Sequence, residues 1–329
     1  MTQPSATFHH VDRSYYPLEQ FLHRANADPD NKSYLRNLHQ VYIMVDEAGE
    51  LDDSDFYIHI EFLESFQMFD KLPSIESVGI DAFRDDDQDE PTIEQGTSNL
   101  SKLYINHSSL NTHCIARAIL SCRVLKELQY SIEGRAEHER DMKGPLNERT
   151  FTKAILGHKT TLESLDVDVG KDTSYLDRGR EDRIEDERES RVMDYDEEDE
   201  ISQFLTSFWG NSGSLKDFGA LKRLSLGIGL LLYLAKGVSG APGEEEEQVM
   251  LADCLPDNLE YLCIRGYQRG EIEKCDAQID ALMAAYKSGL TGLKEIRGVE
   301  EMIRYAENVE DPDEDGDLLW TLEGAGYGR

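Results

Sequence analysis

Leu255-Pro-Asp-Asn-Leu259-Glu-Tyr-Leu262-Cys-Ile264-Arg-Gly-Tyr267 carries the pattern on which the rest of the chain is built. Leu259, Leu262 and Ile264 occupy positions 1, 4 and 6 of a Leu-x-x-Leu-x-Leu unit. In an extended segment side chains alternate between two faces, so Leu262 and Ile264 share one face, with Leu259 turning in beside them. Tyr261, Cys263 and Arg265 then point the other way. One face is core, and the other is free to hold something.

The unit recurs as Leu38-x-x-Val41-x-Ile43, Ile75-x-x-Val78-x-Ile80, Leu100-x-x-Leu103-x-Ile105, Leu125-x-x-Leu128-x-Tyr130, Leu162-x-x-Leu165-x-Val167 and Leu221-x-x-Leu224-x-Leu226, with Leu293-x-x-Ile296 as a partial eighth. First positions are separated by 37, 25, 25, 37, 59, 38 and 34 residues. The two steps of 25 fall within the period of leucine-rich repeats, and the longer ones require inserted loops or longer helices. An apolar chain produces this pattern by chance now and then, but seven full matches separated by helix-spaced segments argue for a repeat. Asn111 is placed to cap a helix carrying Ile115, Ala118, Ile119 and Cys122, and Asn147 one carrying Phe151, Ile155 and Leu156. Phe56, Ile60, Leu63, Phe66 and Phe69 predict a return helix within 52–71, ended by Leu72-Pro73. Ile201, Leu205 and Phe208 predict another, and Ile279, Leu282, Met283 and Tyr286 a further one.

Strand then helix, repeated, predicts an α/β fold: an irregular leucine-rich-repeat solenoid with a curved parallel sheet and outer helices. It is irregular because position 9, where regular repeats place Asn or Cys, holds Asp46, Phe83, Ser108, Glu133, Gly170, Gly229 and Tyr267. Residues 1–34 read as an N-terminal capping helix segment on Leu18, Phe21, Leu22 and Ala25, with His9-His10 in an unstructured start. Residues 35–306 read as the array, with an acidic disordered insertion at 171–200, and 307–329 as an acidic C-terminal tail.

The formal net charge is −33, which leaves the neutralisation of nucleic-acid phosphates without a source. Four stretches, 85–90, 171–200, 243–248 and 307–317, hold 30 of the 67 acidic residues, so much of the charge lies outside the repeats. They read first as solubilising loops and second as a surface for basic partners. The start lacks a signal-peptide pattern, and the most apolar run, 226–235, is half of what a bilayer crossing needs. Five cysteines, at 114, 122, 254, 263 and 275, form no Cys-x-x-Cys and read as reduced, buried thiols. These features predict an intracellular protein, cytoplasmic or nuclear, with no membrane or nucleic-acid partner.

Chemistry-bearing motifs are incomplete. Asp311-x-Asp313-x-Asp315-Gly316 opens like a calcium loop, but its twelfth position is Leu322. His107, His113, Cys114 and Cys122 do not have zinc spacing, and both cysteines fall on the apolar helix face. Gly210-Asn-Ser-Gly-Ser214 and Gly237-Val-Ser-Gly-Ala241 each miss the nucleophile-elbow pattern by one residue. No Walker loop, dinucleotide glycine triplet or His-Glu-x-x-His is present. The expectation is therefore no enzyme, no cofactor and no metal. Tyrosine and arginine anchor interfaces most often, which makes Tyr42, Tyr104, Arg223, Tyr261 and Arg265 the candidate protein-binding residues on the strand face opposite the core.

Leu35-Arg-Asn-Leu-His-Gln-Val-Tyr42, Ser214-Leu-Lys-Asp-Phe218 running into Leu221-Lys-Arg-Leu-Ser-Leu226, the stretch from Leu255 to Tyr267, and Asp317-Leu-Leu-Trp320 carry a resemblance. On them the chain resembles the leucine-rich-repeat region of F-box-like proteins of filamentous fungi. The resemblance implies repeats that select a protein substrate, while an N-terminal F-box docks the adaptor of a cullin ubiquitin ligase. Residues 1–34 lack that module's Leu-Pro helical triplet. The expected function is thus a non-enzymatic protein-binding scaffold for a partner the residues do not identify. The alternatives are the substrate-recognition part of an SCF-type ubiquitin-ligase receptor whose F-box is missing, binding its adaptor if an F-box lies upstream, and an enzyme built around Asp166 and Asp168.

Overall fold

The apolar side chains at positions 4 and 6 of each unit leave water together only if the strands lie side by side with those positions level. The computed structural model has this arrangement, and it describes residues 5–9, 20–22, 24–25, 35–44, 58–59, 62–81, 83–84, 93–108, 110–132, 146–170, 208–238, 249–289 and 291–305. The strands are β1 (Ser5–His9), β2 (Gln40–Met44), β3 (Ile58–His59), β4 (Ser77–Asp81), β5 (Phe83–Arg84) and β6 (Lys102–Asn106). They continue as β7 (Glu127–Ser131), β8 (Ser164–Asp168), β9 (Arg223–Gly227), β10 (Tyr261–Arg265) and β11 (Glu295–Arg297). Nine of them form one sheet in the order β1-β2-β4-β6-β7-β8-β9-β10-β11, while β3 and β5 pair separately. Every neighbouring pair in the large sheet is parallel. Spatial order is chain order.

All eight sequence units fall on strands of this sheet, and their register is constant. Position 4 stands level with position 4 from end to end: Val41 with Val78, Val78 with Leu103, Leu103 with Leu128, Leu128 with Leu165, Leu165 with Leu224, Leu224 with Leu262 and Leu262 with Ile296. The 59-residue step from Leu162 to Leu221 leaves this register unchanged. Loop-closure entropy grows only slowly with length, so the insertion costs the sheet little. A second regularity sits just before each strand. The carbonyl at position 2 accepts from the N–H groups at positions 2 and 3 of the next unit, from His39 through Glu76, Ser101, Lys126, Glu163 and Lys222 to Glu260, at 2.7 to 3.2 Å.

Six helices are bounded among the described residues: α1 (Phe62–Gln67), α2 (Thr112–Ser121), α3 (Glu148–Leu156), α4 (Ile228–Lys236), α5 (Leu251–Cys254) and α6 (Glu273–Ser288). Asn111 Oδ1 accepts from the His113 N–H at 2.9 Å and Asn147 Oδ1 from the Thr150 N–H at 2.8 Å, so both asparagines satisfy helix-end donors as expected. The apolar run 226–235 divides between the end of β9 and α4, which starts directly from it. Ile115, Phe151, Leu231 and Ile279 from the helices join Leu128, Leu165, Leu224 and Leu262 from the strands in one buried core, so the helices cover the position-4 and position-6 face. Leu22 and Ala25, in the helical residues near the start, belong to the same core.

Some expectations are met differently. Residues 5–9 are a strand rather than unstructured chain, because the free edge of β2 offers a row of backbone donors and acceptors that a parallel partner satisfies. Of the return helix expected within 52–71, Phe62–Gln67 is helical and the turn that follows ends at Leu72. Most of the helix expected around Ile201 and Leu205 lies outside the described residues, as do the four acidic stretches and the calcium-like loop. No helix among the described residues is long and apolar enough to cross a membrane.

Leu165 and Leu224 are about fully buried and level with each other, whereas Val124 is 42% exposed. Truncation of a buried leucine costs lost transfer energy plus a cavity, about 2–5 kcal/mol. Leu165→Ala and Leu224→Ala are each expected to lower urea-unfolding stability by that amount with the slope unchanged, and Val124→Ala to leave it within roughly 0.5 kcal/mol.

Candidate functional site

Because register is constant, the face opposite the core is a grid: positions 3, 5 and 7 of each strand lie level with the same positions of the next. The three rows differ in exposure. At position 3, Gln40, Lys102, Glu127 and Ser164 are half-buried and Arg223 and Glu295 exposed, while Ser77 and Tyr261 are buried. At position 7, Asp81, Asn106, Ser131, Asp168 and Arg265 are all buried. The face is open along the strand starts and closed along the strand ends.

The five sequence-selected residues separate accordingly. Tyr42 is half-buried with its ring over Gly79, where an added Cβ would come within 2.2 Å of the Tyr42 ring. Tyr104, also half-buried, donates its hydroxyl to Glu127 at 2.7 Å, and the other oxygen of Glu127 meets the Lys102 ammonium at 2.6 Å. Burial, then the bonded carboxylate, push the Tyr104 phenol well above its ordinary range. Arg223 is exposed and holds its guanidinium 5.0 Å above the Tyr261 ring. Tyr261 and Arg265 are not surface groups: they are 8% and 1% exposed. Burial pushes the Tyr261 phenol up to about 12.

Arg265 is buried because the strands beside it supply its partners. Its NH2 lies 3.4 Å from Asp166 Oδ1, its NH1 3.4 Å from Asp168 Oδ2, and its Nε donates to Ser225 Oγ at 3.2 Å. The side chain reaches from β10 across β9 to β8, roughly two strand spacings of about 4.8 Å. Gly227 is level with Arg265 on β9, and the space over it holds the Tyr305 ring. Asp166 has its carboxyl raised to about 6, because burial outweighs the attraction of Arg265. The sequence signal for this network is two aspartates at positions 5 and 7 of one unit and an arginine at position 7 two units later. Constant register is what turns that into a contact.

A second buried polar pair lies at the ends of β4 and β6. His107 Nδ1 meets Asp81 Oδ1 at 2.8 Å, and an ionised carboxylate only accepts, so Nδ1 carries the proton. His107 has a left-handed backbone, φ 48°, and its N–H donates to Ser131 Oγ at 2.9 Å. Ser131 is therefore engaged by backbone, and among the described residues His107 Nε2 and Asn106 Oδ1 have no hydrogen-bond partner. No group of three or more His, Cys, Asp or Glu that would hold a metal occurs among the described residues, and all five cysteines are buried thiols.

Lys153 is a third buried charge, on α3. Its ammonium donates to the carbonyls of Trp209 and Asn211, the latter at 3.0 Å, and lies 5.2 Å from the Trp209 ring centre. Burial, reinforced by Arg149, lowers its pKa to about 8. It ties α3 to the chain entering the next unit, and Asn211 answers by donating to the Lys153 carbonyl at 2.9 Å.

Arg265→Met should lower stability at neutral pH by about 3–5 kcal/mol, since it leaves two buried carboxylates without their cation. For Asp166 the folded-state pKa lies above the unfolded one, so the native state binds the extra proton between about pH 4 and 6 and stability falls as pH rises through that window. Urea titrations at pH 4, 5 and 6 are expected to show Asp166→Asn losing less stability than the parent as pH rises. Equal pH dependence would mean that Asp166 is not held in its raised state.

In comparisons with known proteins, no protein-family model matches the chain and no curated protein matches its sequence.

Proposed function

We propose that the protein is a non-enzymatic, intracellular protein-binding scaffold of irregular leucine-rich-repeat form, a solenoid whose parallel sheet is one wall and whose helices are the other. The observation that carries this reading is the graded exposure of the strand face. Tyr42, Lys102, Tyr104, Glu127, Arg223 and Arg297, all at positions 3 and 5 of their units, are half-buried or exposed on a backbone made rigid by in-register pairing, and they form an accessible band. Tyrosine and arginine on a preorganised surface bring contact area and directional hydrogen bonds at small entropic cost. The band also carries both charge signs, which suits a protein surface of mixed charge better than a polyanion. The binding surface so defined keeps Tyr42, Tyr104 and Arg223 and leaves Tyr261 and Arg265 as its supporting floor.

The test places a photo-crosslinking phenylalanine analogue at Tyr42, Tyr104 or Arg223, with exposed Lys274 on α6 as the control. One and the same protein partner is expected from the three strand positions and none from 274. Equal capture at all four positions, or none at the three strand positions, would sink the scaffold reading.

A further inference from the structure

β11 is three residues long and pairs only with Tyr261, Leu262 and Cys263. The edge of β10 beyond Cys263 therefore faces outward from the sheet with its backbone groups available to another extended segment. The chain itself supplies one. After β11 it turns at Gly298, φ 78°, where a side chain would lie 1.8 Å from the Ile264 carbonyl oxygen, and it returns along β10. Ile303 then pairs with Arg265 in a parallel bridge, and its carbonyl accepts from the Gly266 N–H at 2.8 Å. The Ile303 side chain, 5% exposed, packs with Tyr261 and Cys263 in a small cluster separate from the main core. Two residues on, Tyr305 lies against Gly227 and Gly266, where an added Cβ would come within 2.8 Å of its hydroxyl oxygen and 2.1 Å of its ring, respectively. Met302 and Arg304, between and before these anchors, are exposed. The alternation is that of a strand laid onto the sheet, one side chain down and the next out.

We propose that this end of the sheet is a docking site for an extended peptide that adds parallel to β10 and presents an aliphatic side chain followed two residues later by a tyrosine. Residues 301–305 are its displaceable internal occupant. The recognition chemistry is strand addition: backbone bonds to the open edge give attachment, and the alternate side chains give selectivity. The aliphatic pocket is formed by Tyr261 and Cys263, and the tyrosine slot by Gly227 at the end of β9 and Gly266 just after β10. Among the described residues the internal segment pairs with β10 through the single bridge of Arg265 with Ile303, where neighbouring strands of the sheet share up to five paired residues, so it belongs to the part of the fold that opens locally. Displacement would uncover Tyr261 next to Arg223, which joins this site to the open band. The proposal rests on the protein-binding reading of that face, but the two can fail separately, since it does not need the crosslinks at Tyr42 or Tyr104.

The experiment uses the full chain and a fluorescent peptide of residues 299–310, read by anisotropy. The peptide is expected to bind the Ile303→Asp/Tyr305→Ala double variant and to bind the parent roughly tenfold or more weakly, because the tethered copy competes at high effective concentration. A peptide carrying the same two changes should bind neither. Gly227→Ala provides a second variant: φ is −60° there, so the backbone accepts alanine, and the atoms nearest the added methyl all belong to the Tyr305 side chain. It should accelerate tryptic cleavage at Arg304 and admit the peptide to an intermediate degree. Amide exchange supplies the control, with Gly266 exchanging roughly tenfold faster in the double variant while Leu262 and Ile264 stay protected. Failure of the double variant to fold, Gly266 as protected as Ile264 in the parent, or equal binding of the peptide to parent and variant would each overturn the proposal.

Discussion

Level pairing of parallel strands is the constraint on which everything else depends. A parallel sheet has both N–H and C=O groups committed to neighbours, and a shift of one residue would turn a strand's whole apolar set to the opposite face. Val41, Val78, Leu103, Leu128, Leu165, Leu224 and Leu262 stand level across seven strands, so no strand can slip without exposing its own apolar residues and uncovering its neighbour's. The paired bonds from each position-2 carbonyl lock the register again, one residue before each strand. Between these anchors the connections vary freely in length.

The same constraint dictates the chemistry of the second face. Identical positions become neighbours, so repeated like charge would be repelled along the whole row. The effect shows just before the strands as well: at position 2 the residues run Glu76, Ser101, Lys126, Glu163, Lys222, Glu260, Lys294, and the ion pairs Lys222–Glu163 at 3.1 Å and Lys294–Glu260 at 2.7 Å follow the alternation. These pairs are exposed and add little stability, but like charges there would oppose the pairing. On the face opposite the core, Asp166 and Asp168 are brought together by strand geometry and are met by one arginine that reaches across β9. The grid thus grades from a wet edge to a dry one where polar groups satisfy each other.

Much of this is legible in the residues. The eight apolar units predict the eight strands because periods of two and of 3.6 differ in which side chains they bring together. Asn111 and Asn147 mark helix starts because their short side chains reach the free N–H groups that only a helix end presents. Cys114 and Cys122 are core residues, at 0% and 2% exposed, as their place on the apolar helix face implies. The division of the face opposite the core is not legible. Alternation assigns Tyr261 and Arg265 to that face, and they are on it, but alternation is silent on what else packs there. Their burial follows from Asp166, Asp168 and Ser225 on other strands and from Ile303 returning after β11, contacts between residues up to 99 positions apart.

Local sequence, then, settles which segments are strands and helices and which side of each is apolar, because these depend on neighbours within a few residues. The pairing of β1 with β2, the enclosure of Arg265 and the seating of residues 301–305 on β10 depend on which edges and side chains remain unsatisfied after the strands have assembled. That inventory exists only in three dimensions, where hydrogen-bonding groups and charges left over in one unit are completed by residues far along the chain.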